Sequence, residues 1–393
     1  MAIPKPAHSD FWLELATDLG QREAAGLKRQ LALSLPESPR MIQRDGRSLV
    51  HFGSNDYLSL AWHPEVREAF QRAAQEPRVG AVASPLITGA ASAYKTLTET
   101  LALWEQTEAA MVFSSGYAAN VGTVAALASK GDAILSDALN HACLIDGCRL
   151  ARAEVHVYPH ADMTGLEDLL RTVRPRHRRI FVVTDTVFSM DGDIAPVREI
   201  QDLCKQFDAM AIADEAHASG VLGERGRGVA CGPDIDASRW IRTGTLSKAI
   251  GCSGGFVTGP KVLIEWLTQS ARSWIYSTAA PSALLAAAAR SIEILSEMDA
   301  QREGLAVRSR TLREGLTALG FTTRADLTPI VPIYFQSPDE VLSIAKHLSE
   351  AGFFVPAIRP PTVPRGTAML RISLTAAHTD ADVGGLLEAL KKL

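Results

Sequence analysis

The stretch AIADEAHASG, residues 211–220, carries an apolar run into a carboxylate, Asp214, and then passes through His217 into small residues. Such a boundary marks the carboxyl end of a buried strand, where ligands bind in parallel α/β sheets. Strand-like runs lie on both sides of it. Upstream are AAMVFSS (109–115), DAILSD (132–137), EVHVYPH (154–160) and RIFVVTDTVFS (179–189); downstream are WIRTGTLS (240–247) and GGFVTG (254–259). Helical stretches alternate with them, among them GYAANVGTVAALASK (116–130), TGLEDLLRTV (164–173) and VREIQDLCKQF (197–207). This alternation predicts an α/β fold with a mostly parallel sheet covered by helices on both faces.

The flanks differ. Residues 10–33 read as a helix, and IQRDGRSLVHF (42–52) as a strand and turn, so residues 1–55 form an N-terminal segment. Residues 56–285 are the expected large domain. An alanine-rich helical run continues from Pro281 to about 318. Beyond it come PIVPIYF (329–335), a helix over 338–351, FFVPAIRPPTVP (353–364), AMLRISL (368–374) and a final helix over 380–392. That end, 286–393, reads as a smaller α+β domain.

Composition narrows the function. The chain has 393 residues, a formal net charge of −4 and 21% charged residues with no long block of one sign, which argues against a nucleic-acid or membrane-surface protein. The cluster RPRHRR (174–179) reads as a solvated helix end or loop. Five cysteines, at 143, 148, 204, 231 and 252, are odd in number and form no C-x-x-C pair. Neither a disulfide framework nor a structural zinc site is expected. His141 stands near Cys143 and Cys148, but no second ligand cluster completes a metal site. The start, MAIPKPAHSDFW, has no apolar signal core, and no stretch reaches the ~20 apolar residues of a membrane span. A cytoplasmic location is the expectation.

A parallel sheet would gather the polar residues at its strand ends: Ser114, Ser115 and Gly116; Asp137; Thr184, Asp185 and Ser189; Asp214 and His217; Thr245 and Lys248. Taken singly, each has an ordinary reading. Asp214 suits a capping carboxylate, His217 a core histidine and Lys248 a solvated loop cation. D-E-A-H also occurs in helicases, but that reading needs an upstream G-x-x-x-x-G-K-[ST] loop, which is missing. GERGRG (223–228) reads as a surface loop rather than a phosphate cradle.

Taken together, Asp214 and Lys248, 34 residues apart at successive strand ends, suit pyridoxal phosphate. The lysine amine condenses with the cofactor's aldehyde, and the carboxylate keeps the pyridine nitrogen protonated so that the ring accepts electrons. SSGYAAN (114–120) opens a helix whose first N–H groups suit a phosphate, and Thr245 and Ser247 add hydroxyls.

Several longer stretches carry a resemblance. They are SNDYL (54–58), SSGYAAN, LNHACLIDG (139–147), VFSMDGDIAPV (187–197), ADEAHASGVLGERGRG (213–228) and TLSKAIGCSGG (245–255). With them the chain resembles the α-oxoamine synthases, fold-type-I pyridoxal-phosphate enzymes, over nearly its whole length. AIRPPTVPRGTAMLRISLTAAHT (357–379) points to the biotin-pathway branch, whose reaction condenses L-alanine with a pimeloyl thioester carried on coenzyme A or acyl carrier protein.

The resemblance implies roles residue by residue. Lys248 would hold the cofactor, Asp214 pair with its ring nitrogen, and His217 contact its ring oxygen. His141 would stack on the ring and line the substrate pocket. Gly116 and Tyr117 would contact the phosphate, and Ser189 and Thr245 the cofactor. Thr362 would line the substrate pocket and Arg371 hold the amino-acid carboxylate. Arg29, or its neighbour Lys28, would reach the acyl substrate. A homodimer and no metal are implied as well. Two departures stand out: GAVASPLITG (80–89) replaces a glycine-rich run that often approaches the partner subunit's site, and Ser247 stands where glycine is frequent. Other α-oxoamine synthases, using glycine or serine, and a non-catalytic synthase partner stay open as alternatives.

Overall fold

The computed structural model describes residues 8–29, 31–360, 362–364 and 366–393. At its centre is a seven-stranded sheet. To number the strands in chain order, three precede it: β1 (Leu35–Ser38), β2 (Met41–Arg44) and β3 (Arg47–His51). The central sheet then comprises β4 (Ala109–Phe113), β5 (Ala133–Asp137), β6 (Glu154–Tyr158), β7 (Ile180–Asp185), β8 (Met210–Asp214), β9 (Trp240–Thr245) and β10 (Gly255–Gly259). Their spatial order is β4-β10-β9-β8-β7-β5-β6. Five strands, β5 to β9, pair in parallel, and β10 runs antiparallel to both β4 and β9.

β5, β7, β9 and β10 are buried at every position, so their sequences do not alternate between polar and apolar; β5 and β7 are apolar up to the polar residues at their carboxyl ends. One helical layer packs Val124, Leu144 and Leu267 against Phe113, Ile134 and Val257. On the other face Leu166, Leu170, Ile200 and Cys204 cover Leu135, Val182 and Ala211.

The C-terminal part contributes β11 (Ile330–Phe335), β12 (Phe353–Phe354), β13 (Ala357–Ile358) and β14 (Ala368–Ser373). β11, β14 and β13 form an antiparallel sheet under the helices Asp299–Ala318 and Pro338–Glu350. β12 pairs elsewhere. It runs parallel to β3, so the N-terminal hairpin and the end of the chain share one sheet. The hairpin itself turns at Asp45 and Gly46, both at positive φ, as a two-residue Asp-Gly turn requires.

Three expectations differ in detail. The first helix runs only over His8–Ala24, because Gly26 at φ +67° ends it. The alanine-rich run is two helices, Ser282–Leu295 and Asp299–Ala318, and the expected boundary at 285 falls inside the first. The segment 80–89 ends in a single wide helical turn, Pro85–Gly89. Val82 sits at φ +55° with 79% of its surface exposed, a left-handed conformation in which a β-branched residue is strained and glycine is not. Val79, Leu86, Ile87 and Tyr276 are exposed as well.

Candidate active site

The carboxyl ends of β7, β8 and β9 converge as the topology demands. Asp185 and Asp214 are register partners on adjacent strands, so two buried carboxylates lie side by side. Asp214 accepts from Nδ2 of Asn120 at 2.6 Å and from the backbone N–H of Ala216 at 2.8 Å. Asp185 accepts from the backbone N–H of His141 at 2.7 Å. Burial, with Asp214 adding repulsion, raises the Asp185 pKa well above the usual carboxylate range.

Lys248 follows β9 on the turn Leu246–Gly251. It is half-buried, and among the described residues its amine has no hydrogen-bond partner. Burial lowers its pKa; Asp214 and Asp185 oppose this, and Arg371 adds to it. His217 is buried, with Nδ1 2.7 Å from the Tyr57 hydroxyl. Its pKa lies well below that of an ordinary histidine, first through burial and then through Lys248, Arg371 and His141. The His141 pKa is also lowered, chiefly by burial; Asp214 opposes this and Lys248 adds to it. The site is therefore a neutral-imidazole environment with a lysine biased towards its free amine.

A helix N-terminus lies against the end of β9. Ser115 caps the helix Gly116–Leu127 by accepting from the Ala118 N–H at 3.0 Å, which leaves the first-turn N–H groups of Gly116 and Tyr117 without intrahelical acceptors. A Cβ on Gly116 would stand 3.1 Å from Cβ and Oγ1 of Thr245, in the space between helix end and strand. Thr245 Oγ1 is 2.8 Å from the Ser247 hydroxyl and donates to the Gly254 carbonyl. A buried carboxylate held by two donors, an unpartnered lysine and a helix N-terminus opposite hydroxyls together fit pyridoxal phosphate.

Arg371, on β14, reaches the same cleft. Its Nε donates to the Ser189 carbonyl at 2.5 Å and Nη1 to Ser373 Oγ at 2.6 Å; the contacts of Nη1 and Nη2 with Asn55 are long, 3.4 Å. One edge of the guanidinium is therefore anchored and the other loosely held. Arg29 and Thr362 meet in a separate groove of about 620 Å³, where Arg29 Nη2 donates to Thr362 Oγ1 at 3.3 Å. Arg44, Lys346 and Arg359 also line it. Lys28 instead pairs with Glu23. Pro361 and Arg365 of the PPTVPR stretch lie outside the described residues.

Some expected members go elsewhere. Asp137 lies 3.0 Å from His160 Nδ1, while His160 Nε2 lies 2.7 Å from Asp193, away from the lysine. The Tyr117 hydroxyl donates to Asp146, so only its backbone faces the phosphate space. Other contributors stand out only in three dimensions: Asn120, Cys143, Tyr57, Asn55 and Thr243. Tyr57 and Asn55 were visible within SNDYL, and Asn120 and Cys143 within SSGYAAN and LNHACLIDG, but nothing local marks them as site residues.

The signature of the family "Aminotransferase class I and II" spans residues 47–390, and the chain belongs to that family. Within it, the chain is one of the α-oxoamine synthases. It is 44% identical to the 8-amino-7-oxononanoate synthase of Marinobacter nauticus over 96% of each chain. It is 42% identical to 8-amino-7-oxononanoate synthase 1 of Polaromonas sp., covering 100% of this chain and 98% of that one. Among solved structures, serine palmitoyltransferase of Sphingomonas wittichii superposes with a TM-score of 0.90 at 32% identity, over 99% of this chain and 98% of that one. The 8-amino-7-oxononanoate synthase of Francisella tularensis gives 0.76 at 28% identity, over 88% and 97%.

Proposed function

We propose that the protein is an 8-amino-7-oxononanoate synthase, a pyridoxal-phosphate-dependent C-acyltransferase of biotin biosynthesis. It joins L-alanine to a pimeloyl thioester, releasing carbon dioxide and the free thiol. Full-length identity of 42–44% to synthases of that name carries the reading. The pairing of buried Asp214 with unpartnered Lys248 supports it from geometry.

Bound pyridoxal phosphate supplies an aldehyde for amine attachment and a protonated ring that takes up the electron pair left when the Cα–H bond breaks. Asp214, fixed by Asn120 and Ala216, holds the proton on the ring nitrogen. Lys248 retains the cofactor at rest and, once displaced, accepts the Cα proton at Nζ; its lowered pKa makes the free amine available. Arg371 orients the amino-acid carboxylate with its loosely held edge. His217, kept neutral by burial, meets the ring oxygen, and Ser189 and Thr245 complete the cofactor's surroundings. His141 would stack on the bound cofactor's ring and donate a hydrogen bond to the substrate's carbonyl oxygen.

The acyl chain runs towards Thr362 and Arg29, whose groove carries four basic side chains and one carboxylate, Asp45. That balance suits the anionic end of the acyl group or its carrier, coenzyme A or acyl carrier protein. The exposed apolar residues of 79–87 support a homodimer completed across that face. We read the chain as an N-terminal segment to 55, a cofactor domain to 285 and a C-terminal domain. No described helix is long and apolar enough to cross a membrane, in keeping with a cytoplasmic enzyme.

A panel of alanine, glycine and serine against pimeloyl, acetyl and palmitoyl thioesters, followed by thiol and carbon dioxide release, tests the assignment. Preference for alanine with pimeloyl thioester is expected. Preference for serine with palmitoyl thioester, or glycine with acetyl thioester, would replace it with another α-oxoamine synthase.

A further inference from the structure

The geometry points to Cys143 as a positioning residue that, with Asn120, ties His141 to Asp214 and fixes His141 as the tautomer protonated at Nε2. The chain of hydrogen bonds starts at Asp214. An ionised carboxylate only accepts, so the amide face of Asn120 that lies 2.6 Å from it is Nδ2. The carbonyl of the same amide then receives the Thr243 hydroxyl at 2.5 Å. Nδ2 has a second hydrogen, and Cys143 Sγ is its acceptor at 3.1 Å. With that lone pair engaged, the thiol hydrogen is left for the other neighbour of Sγ, Nδ1 of His141 at 2.9 Å.

A second donor addresses the same nitrogen. His141 is the N-cap of the helix Ala142–Leu150, and its Nδ1 accepts from the backbone N–H of Cys143 at 3.3 Å. Two donors on Nδ1 require a lone pair there, so the proton of the neutral ring sits on Nε2. Burial, reinforced by Asp214 and Asp185, raises the Cys143 pKa far above the ordinary thiol value, so Sγ keeps its hydrogen throughout the working pH range. A thiolate would remove the donor and reverse the tautomer. His141 has no protein partner at Nε2 among the described residues, and its side chain is exposed to the cleft. The ring thus presents an N–H, not a lone pair, to whatever fills the site.

The inference deepens the proposed role of His141 as a donor to the substrate's carbonyl oxygen and rests on that reading for its kinetic consequence. Its structural half can be tested independently. In full-length protein labelled with ¹⁵N-histidine, before and after addition of pyridoxal phosphate, two-bond proton–nitrogen correlations report the tautomer; the signal missing from His141→Gln identifies the ring. We expect protonated Nε2 in the wild-type protein, a shift towards a mixture of both tautomers in Cys143→Ala, and return of the single form in Cys143→Ser. In the holoenzyme Cys143→Ala should lower kcat by about tenfold, part of what a placed proton donor contributes, with the KM for alanine changed less than about twofold. Cys143→Ser should recover most of that loss. Protonated Nδ1 in the wild-type protein, or a Cys143→Ala variant with unchanged tautomer and kcat, overturns the inference. If Cys143→Ala fails to fold, the wild-type spectrum decides alone. Failure to bind pyridoxal phosphate at all would instead strike the proposed function and leave the tautomer result standing.

Discussion

Two buried clusters of charge and imidazole sit on the central sheet, and they are built in opposite ways. At the end of β5, His160 lies between two carboxylates, 3.0 Å from Asp137 and 2.7 Å from Asp193, with the edge of its ring against Phe188. Hydrogen bonds donated by its ring to both carboxylates more than offset its burial and raise its pKa to about 9. Where the ends of β5, β8 and β9 meet, His141 and His217 are both lowered, and Lys248 is lowered with no hydrogen-bond partner among the described residues. The first cluster satisfies its own charges and clips the 187–195 segment in place. The second leaves an amine and two ring nitrogens facing a space that a ligand must complete. The sign of a histidine's shift is thus informative: a raised value marks an imidazolium held by carboxylates, whereas lowered values mark neutral groups held ready for something else.

The sharpest break in that comparison is Lys248→Ala. Turnover should vanish and the visible absorbance of lysine-bound cofactor with it, while the melting temperature of the cofactor-free protein changes little, because the side chain has no hydrogen-bond partner among the described residues. Borohydride reduction of the wild-type protein followed by peptide mapping should label Lys248. A label on another lysine breaks the assignment of the second cluster.

Next in size is Asp214→Asn. The amide cannot keep the ring nitrogen protonated, so exchange of the alanine Cα hydrogen should fall by more than about a hundredfold, the scale of losing one preorganised electrostatic partner. Cofactor should still bind. Unchanged exchange would reduce Asp214 to a cap.

Arg371→Lys should act more narrowly. Lysine keeps the charge and loses the fork, so the KM for alanine should rise about tenfold to a hundredfold, given ~1.5–3 kcal/mol for a charged hydrogen bond. The KM for the thioester should hardly move. Equal effects on both substrates, or lost thermal stability with no selective effect, would make Arg371 a strut between Ser189 and Ser373.

The smallest effect sharpens the other side of the comparison. A histidine whose folded pKa is raised contributes stability that is complete below the unfolded value of 6.5 and is lost as pH climbs through about 9. The melting temperature of the wild-type protein should therefore decline across that interval by a few degrees more than that of His160→Gln. Parallel profiles for the two proteins would show that the clip does not depend on the imidazolium.

Much of this contrast was legible in the sequence, and the reasons are local. The inner strands β7 and β8 appear as apolar runs because burial on both faces leaves little alternation to interpret, whereas the edge strand β6, EVHVY, alternates and is largely exposed. Asp214, His217, Thr245 and Lys248 could be grouped because a parallel sheet delivers all strand ends to one side. Asp137 was grouped with them on the same logic, and only the position of His160, on the turn after the edge strand β6, diverts it. Asn120 and Cys143 sit on helices whose sequences look like ordinary packing, so their link to Asp214 depends on how two helix starts meet. The break at Ser296–Met298 lacks a proline or glycine to announce it. The pairing of Phe353–Phe354 with β3 joins residues about 300 apart, and no local pattern encodes such a partner.

That pairing has a bearing on how the polypeptide matures as it leaves the ribosome. The hairpin β2–β3 emerges early, yet the strand that closes its open edge is among the last tenth or so of the 393 residues to be made. Two further late bonds tie down the same region: the Ser373 N–H donates to the Phe52 carbonyl and the Ala376 N–H to the Tyr57 carbonyl. Until they form, β3 offers an unprotected edge to other nascent chains. The strand that ends at Ser373, β14, also carries Arg371. A prematurely terminated product would have the whole central sheet, with Asp214 and Lys248 at its carboxyl edge, but would lack the arginine proposed to grip a substrate carboxylate, so closure of the exposed edge and completion of the proposed site would coincide in one event.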